Sequence, residues 1–99
     1  MGRYRKRPVI IDAFQMTESR RWDDQDWPAW LKLAWRKGEE EPGAMFPTKD
    51  GLALRTLEGP LSITWNDWII RGVHGELYPC KPDIFAMTYE EVEACTESD

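Results

Sequence analysis

Leu61 to Cys80 reads LSITWNDWIIRGVHGELYPC, and this stretch decides the fold. Leu61, Ile63 and Trp65 alternate with Ser62 and Thr64, the period-two pattern of a half-buried strand. Asn66-Asp67 turns the chain. Trp68 to Val73 is the next strand, with Trp68 and Ile70 on one face and Ile69, Arg71 and Val73 on the other. His74-Gly75 is a two-residue hairpin signal, because glycine supplies the positive φ such turns require and histidine tolerates it better than most. Glu76 to Cys80 returns. Pro79 has no N–H to give to a ladder, which confines that strand to an edge or ends it there. Strands joined by turns this short are antiparallel.

Upstream, Leu52 to Leu57 (LALRTL) alternates weakly between the turns at Asp50-Gly51 and Glu58-Gly59-Pro60. A short edge strand is expected around Met45 and Phe46, kept from a central position by Pro47. Pro8 to Met16 (PVIIDAFQM) reads as the first strand. It is apolar on both faces, which suits a central place in a sheet. Asp12 is then a surface carboxylate at the rim or the partner of a base. Thr17 to Gln25 is polar and reads as a loop. Asp26 is a good helix N-cap, and Trp27, Trp30, Leu31 and Ala34 follow at the i, i+3, i+4, i+7 spacing of one helical stripe. Lys37 and Gly38 close that helix. Its tryptophans are expected to pack on the sheet, with ligand stacking by one of them as the alternative. Downstream, Asp83 can cap a short helical turn through Ile84, Phe85 and Met87. Thr88 to Val92 either continues helically or extends.

The architecture expected is α+β: a small, mostly antiparallel, curved sheet of four to six short strands, packed by one Trp-rich helix, with a short C-terminal helical turn. Strong curvature also allows a partly closed barrel. A length of 99 residues gives one domain, expected over residues 1–95, with 96–99 a frayed acidic tail.

Apolar residues are 41% and charged residues 31%, a globular composition. No apolar run approaches the ~20 residues of a membrane helix. Arg3, Arg5, Lys6 and Arg7 lead only into Val9, Ile10 and Ile11, so no secretory leader is expected and the compartment expected is the cytosol. The net charge is −5, with a basic start and an acidic end. These ends either pair across a sheet or an oligomer interface or are simply solvated. The overall sign disfavours duplex DNA as a partner. Cys80 and Cys95 are expected to be free thiols. With His74 they make three soft ligands and no Cys-x-x-Cys pair, so no metal is expected. A Cys80–His74 nucleophile pair is conceivable, though His74 is better explained as a turn residue. No phosphate loop, serine elbow or zinc-protease motif occurs, and neither catalysis nor a cofactor is expected.

The informative cluster is Trp65, Trp68, Arg71, Tyr78 and Lys81. Aromatic rings beside cationic groups suit a flat, anionic ligand, the ring stacking on a base and the cations meeting phosphate. Arg5 and Arg7 could add to the phosphate contacts. The same residue types suit a protein interface. The plain alternative is that the tryptophans fill a small core and Arg71 pairs with an acid such as Glu76 across the hairpin.

Three segments carry a resemblance: YRKRPVIIDAF (Tyr4 to Phe14), TLEG (Thr56 to Gly59) and DWIIRGVHGELYPCKPDIF (Asp67 to Phe85). Together they resemble a family of small phage and prophage proteins of unknown function. Two positions depart from the pattern. Asn66 stands where glycine is common, and asparagine keeps access to the left-handed region. Ala86 stands where an acid is common. The resemblance implies a phage accessory protein and carries over no catalytic residue. Its most concrete form is a non-catalytic binding protein that counters host defence by sequestering a nucleotide-derived signal, oligomerising to build a shared site. The alternatives are a module that docks on a host or phage protein, and an accessory structural protein.

Overall fold

The computed structural model describes residues 2–4 and 9–92. The elements in chain order are β1 (Asp12–Gln15), α1 (Glu18–Trp22), a 3-10 turn (Asp24–Asp26), α2 (Ala29–Arg36), β2 (Met45–Thr48), β3 (Gly51–Thr56), β4 (Gly59–Ile63), β5 (Trp68–Arg71), β6 (Leu77–Cys80) and α3 (Pro82–Thr88). The α+β class, the antiparallel pairing and the short C-terminal helix are as expected. The six strands divide into two three-stranded sheets, ordered β1-β5-β6 and β2-β3-β4.

Cross-strand register sets which side chains share a face. In the first sheet Phe14 lies opposite Ile69, and Leu77 lies opposite Arg71 one step along. Phe14, Ile69 and Leu77 turn inward and join Met16, Trp27, Leu31, Ala34, Met45, Leu52, Leu54 and Ile63 in one core. The stripe expected on the helix is therefore the buried one, with Leu31 fully enclosed and Trp30 packed at the edge of the core. The other face of the first sheet carries Trp68, Ile70, Tyr78 and Cys80, and there α3 lays Phe85 parallel to the Trp68 ring at 4.1 Å.

Several expectations are corrected. β1 is an edge strand and covers only Asp12–Gln15; Val9 and Ile10 are exposed ahead of it, and Pro8 lies outside the described residues. Apolar character on both faces did not mean a central place, because the β5–β6 hairpin already fills the other side of β5. Part of the expected loop at Thr17 to Gln25 is helix α1: the Thr17 hydroxyl accepts from the Arg20 N–H at 3.2 Å and so caps it. The main helix starts at Ala29, with Pro28 as N-cap in place of Asp26. Proline disfavours helical backbone in the residue before it, and Trp27 is extended at φ −68° and ψ 130°. The hairpin loop between β5 and β6 is longer than two residues: Gly72 N–H bonds the Glu76 carbonyl at 2.8 Å, enclosing Val73, His74 and Gly75. Only Gly75 of these takes positive φ, at 83°.

The expected turn at Asn66-Asp67 is the junction between the two sheets. Asp67 N–H bonds the Thr64 carbonyl at 3.0 Å, and Asn66 has φ 78°. That is the position where tight turns favour glycine or asparagine.

Candidate functional site

The residues singled out from sequence do not converge on one point. Trp68 and Tyr78 share the outer face of the first sheet as diagonal neighbours, while Arg71 lies on the opposite face. Trp68 is stacked on Phe85, which is itself stacked on Tyr89 at 5.0 Å. Trp65 packs against the core. Lys81 Nζ bonds Thr64 Oγ1 at 2.9 Å and Asp67 Oδ2 at 3.3 Å. The Arg71 guanidinium pairs with Asp12 at 3.2 Å, across β1–β5, and not with Glu76. Arg71 also borders a groove with Trp30, Leu33 and Lys37. Arg5 and Arg7 lie outside the described residues, as does Cys95.

Tyr78 is pushed up to about 12, with burial the largest cause and the neighbouring Tyr89 hydroxyl the next. The unfolded chain gives up this proton near the ordinary tyrosine value of ~10, before the folded chain does. Between those two pH values the folded state holds more protons, so stability falls as pH rises. Tyr78→Phe is expected to flatten that alkaline loss. Urea midpoints taken from pH 8 upward check it, and an unchanged slope in the variant would assign the loss elsewhere.

Cys80 is likewise pushed up, first by burial and then by the carboxylates of Asp67 and Asp83. A thiol held protonated is a poor nucleophile. His74 sits in the loop at the other end of the hairpin from Cys80, so the two do not form a pair. Among the described residues, no group of three or more His, Cys, Asp or Glu side chains could hold a metal ion, and no helix is long and apolar enough to cross a membrane.

A different cluster gathers where α1, the 3-10 turn and α2 meet. Arg21, Trp22, Asp24, Trp27 and Trp35 line an open pocket of about 250 Å³. The Arg21 guanidinium lies 4.2 Å from the ring centre of Trp22 and 4.9 Å from that of Trp35. Trp35 in turn meets Trp27 edge-to-face, centroids 5.7 Å apart. The Trp27 N–H donates to the Arg20 carbonyl at 2.7 Å, tying α1 to the start of α2. The guanidinium thus lies against two indoles, and its N–H donors find no acceptor among the described residues. Trp22 is 75% exposed, unusual for so large an apolar ring. Sequence reading missed this cluster because α1 was not expected. Recognising Thr17 as an N-cap would have placed Arg21 and Trp22 in a helix.

The described residues form a small α+β fold with an open pocket where Arg21 lies against Trp22 and Trp35. No family model matches the chain, and neither curated proteins nor solved structures give a match.

Proposed function

We propose that this is a non-catalytic binding protein for an anionic, ring-bearing ligand of nucleotide type, held at the Arg21 pocket. The carrying observation is the Arg21 guanidinium, oriented between Trp22 and Trp35 with no acceptor among the described residues. A planar fork of five N–H donors suits a carboxylate or phosphate, and indole faces beside it suit a base. Preorganisation of this kind lowers the ordering cost of binding. The resemblance to phage and prophage proteins supplies the setting: a phage-encoded protein that withholds a nucleotide-derived signal from host defence.

The groove bordered by Trp30, Lys37 and Arg71 is the second placement, favoured by two cations from separate elements beside one indole. Both are already engaged: Arg71 pairs with Asp12, and Lys37 Nζ bonds the Pro42 carbonyl at 3.1 Å.

Thermal unfolding against cyclic oligonucleotides, ADP-ribose derivatives and common nucleotides tests the reading. A ligand at 100 times its Kd adds about 2.7 kcal/mol, a shift of several degrees in a domain this small. Arg21→Ala is expected to abolish the shift and Arg71→Ala to retain it. The reverse pattern moves the ligand to the second groove. A flat panel overturns the nucleotide reading and turns the search to a protein partner for exposed Trp22.

A further inference from the structure

We infer that the protein self-associates, with residues 3–10 of one copy lying on the outward face of α3 of another. Among the described residues eleven large apolar side chains are exposed, and six of them fall in two segments. Tyr4, Val9 and Ile10 precede β1, while Ile84, Met87 and Val92 lie on or just after α3. The other five stand singly along the chain, which is ordinary for a surface. Val9 and Ile10 are β-branched and lead into β1, yet Ile10 is 77% exposed. On α3, Phe85 faces the sheet and stacks on Trp68, so Ile84 and Met87, three residues apart, share the side turned away. Met87 is 84% exposed.

Charge makes the two segments complementary. Residues 3–10 carry four bases and no acid, and residues 83–92 carry three acids and no base. Among the described residues Asp83, Glu90 and Glu91 are exposed and form no ion pair. In sequence, residues 93–99 add three further acids and no base. An apolar strip flanked by bases thus matches an apolar strip flanked by acids, and like charge keeps either strip from pairing with its own kind. One chain does not bring the two together. Residues 9 and 10 lead into the end of β1 that lies beside Arg71, whereas α3 follows Cys80, at the end of the sheet beside Trp68. A second copy offers each segment its complement, and a twofold pair makes the contact twice. The Arg21 pocket, on α1 and α2, takes no part, so this contact stands apart from the ligand reading.

Sedimentation equilibrium of the full chain over a range of concentrations tests this. A dimer or larger species is expected, weakening about tenfold or more between roughly 0.05 and 0.5 M salt as screening shortens the reach of exposed charges. Two charge-reversed variants localise the contact. One carries Arg5→Glu, Lys6→Glu and Arg7→Glu, and the other carries Glu90→Lys, Glu91→Lys and Glu93→Lys. Each alone should be monomeric where the wild type associates, because its two segments then bear the same sign. Mixed in equal amounts they should associate again, the acidic start of one meeting the basic α3 segment of the other. Far-UV circular dichroism checks that each variant is folded. A third variant, Ile84→Ser with Met87→Ser, leaves the charges alone and should weaken association about tenfold or more by removing the apolar strip. A wild type that stays monomeric at every concentration overturns the inference. So does association that survives either reversal or the serine pair, or a mixture of the folded reversed variants that stays monomeric.

Discussion

Trp27→Ala should lower the free energy of unfolding by about 4 kcal/mol, within the range for removing a buried aromatic ring. The indole is only 5% exposed and belongs to the core that also holds Leu31, Ala34 and Ile69. Truncation leaves a cavity bounded by α2 and the sheet, and it orphans the Arg20 carbonyl that takes the indole N–H at 2.7 Å. Marginal domains have roughly 5–15 kcal/mol in total, so about a quarter or more of the stability rests here. The midpoint should fall by about 15–30 °C, measured by far-UV circular dichroism. Trp27→Phe keeps a six-membered ring and loses the N–H with the rest of the indole. It should cost about 1–2 kcal/mol, and since both variants lack the N–H, the difference between them reports the packing of the remaining ring. A loss below about 1 kcal/mol for Trp27→Ala would mean that α1 is not pinned to α2 through this residue. Because Trp27 also floors the Arg21 pocket, Trp27→Phe is the variant in which to ask whether ligand binding survives a stable fold.

Local signals in the sequence were legible where one physical rule acted alone. Within the stripe, Trp30, Leu31 and Ala34 marked the core side of α2 because helical period and burial agree there, while Trp27 is buried from the extended backbone ahead of the helix. Asn66 was readable as a turn because few residues tolerate its φ of 78°. Pro79 kept β6 at an edge for want of an N–H. Where two rules compete, the reading slipped. Asp26 is a good cap by chemistry, but Pro28 forces Trp27 out of helical backbone and the helix waits until Ala29. The run Val9-Ile10-Ile11 has strong strand propensity, yet Val9 and Ile10 stand exposed ahead of β1 because β1 begins only at Asp12. The candidate site was hardest, since a site is a matter of which faces meet. Strand alternation already separated Arg71 from Trp68. What sequence could not supply was α1, five residues long, whose Arg21 and Trp22 meet Trp35 from another helix. Short helices carry too little periodicity to announce themselves.

Lys81→Met is expected to destabilise the fold by about 2–3 kcal/mol, the lower end for breaking a buried ion pair because the lysine itself is half exposed. Asp67 is 2% exposed, and its Oδ2 accepts from the Thr64 N–H at 2.9 Å as well as from Lys81. Its Oδ1 meets no donor among the described residues. Without the ammonium, a buried carboxylate is left with one N–H donor in the turn that joins the two sheets. That turn is also where the Met16 N–H bonds the Asp67 carbonyl at 2.9 Å, so strain there reaches β1. Asp67→Asn in the Lys81→Met background removes the stranded charge and keeps an acceptor for Thr64. The double variant should therefore be more stable than Lys81→Met alone, with a coupling of about 1–2 kcal/mol from urea midpoints. A loss within about 0.5 kcal/mol for Lys81→Met would mark the pair as an ordinary surface bridge. In that case Lys81 is free to swing toward a phosphate. With the larger loss, any ligand that draws Lys81 away must repay the same penalty at Asp67, which makes Lys81 a brace for the sheet junction and a poor anion ligand.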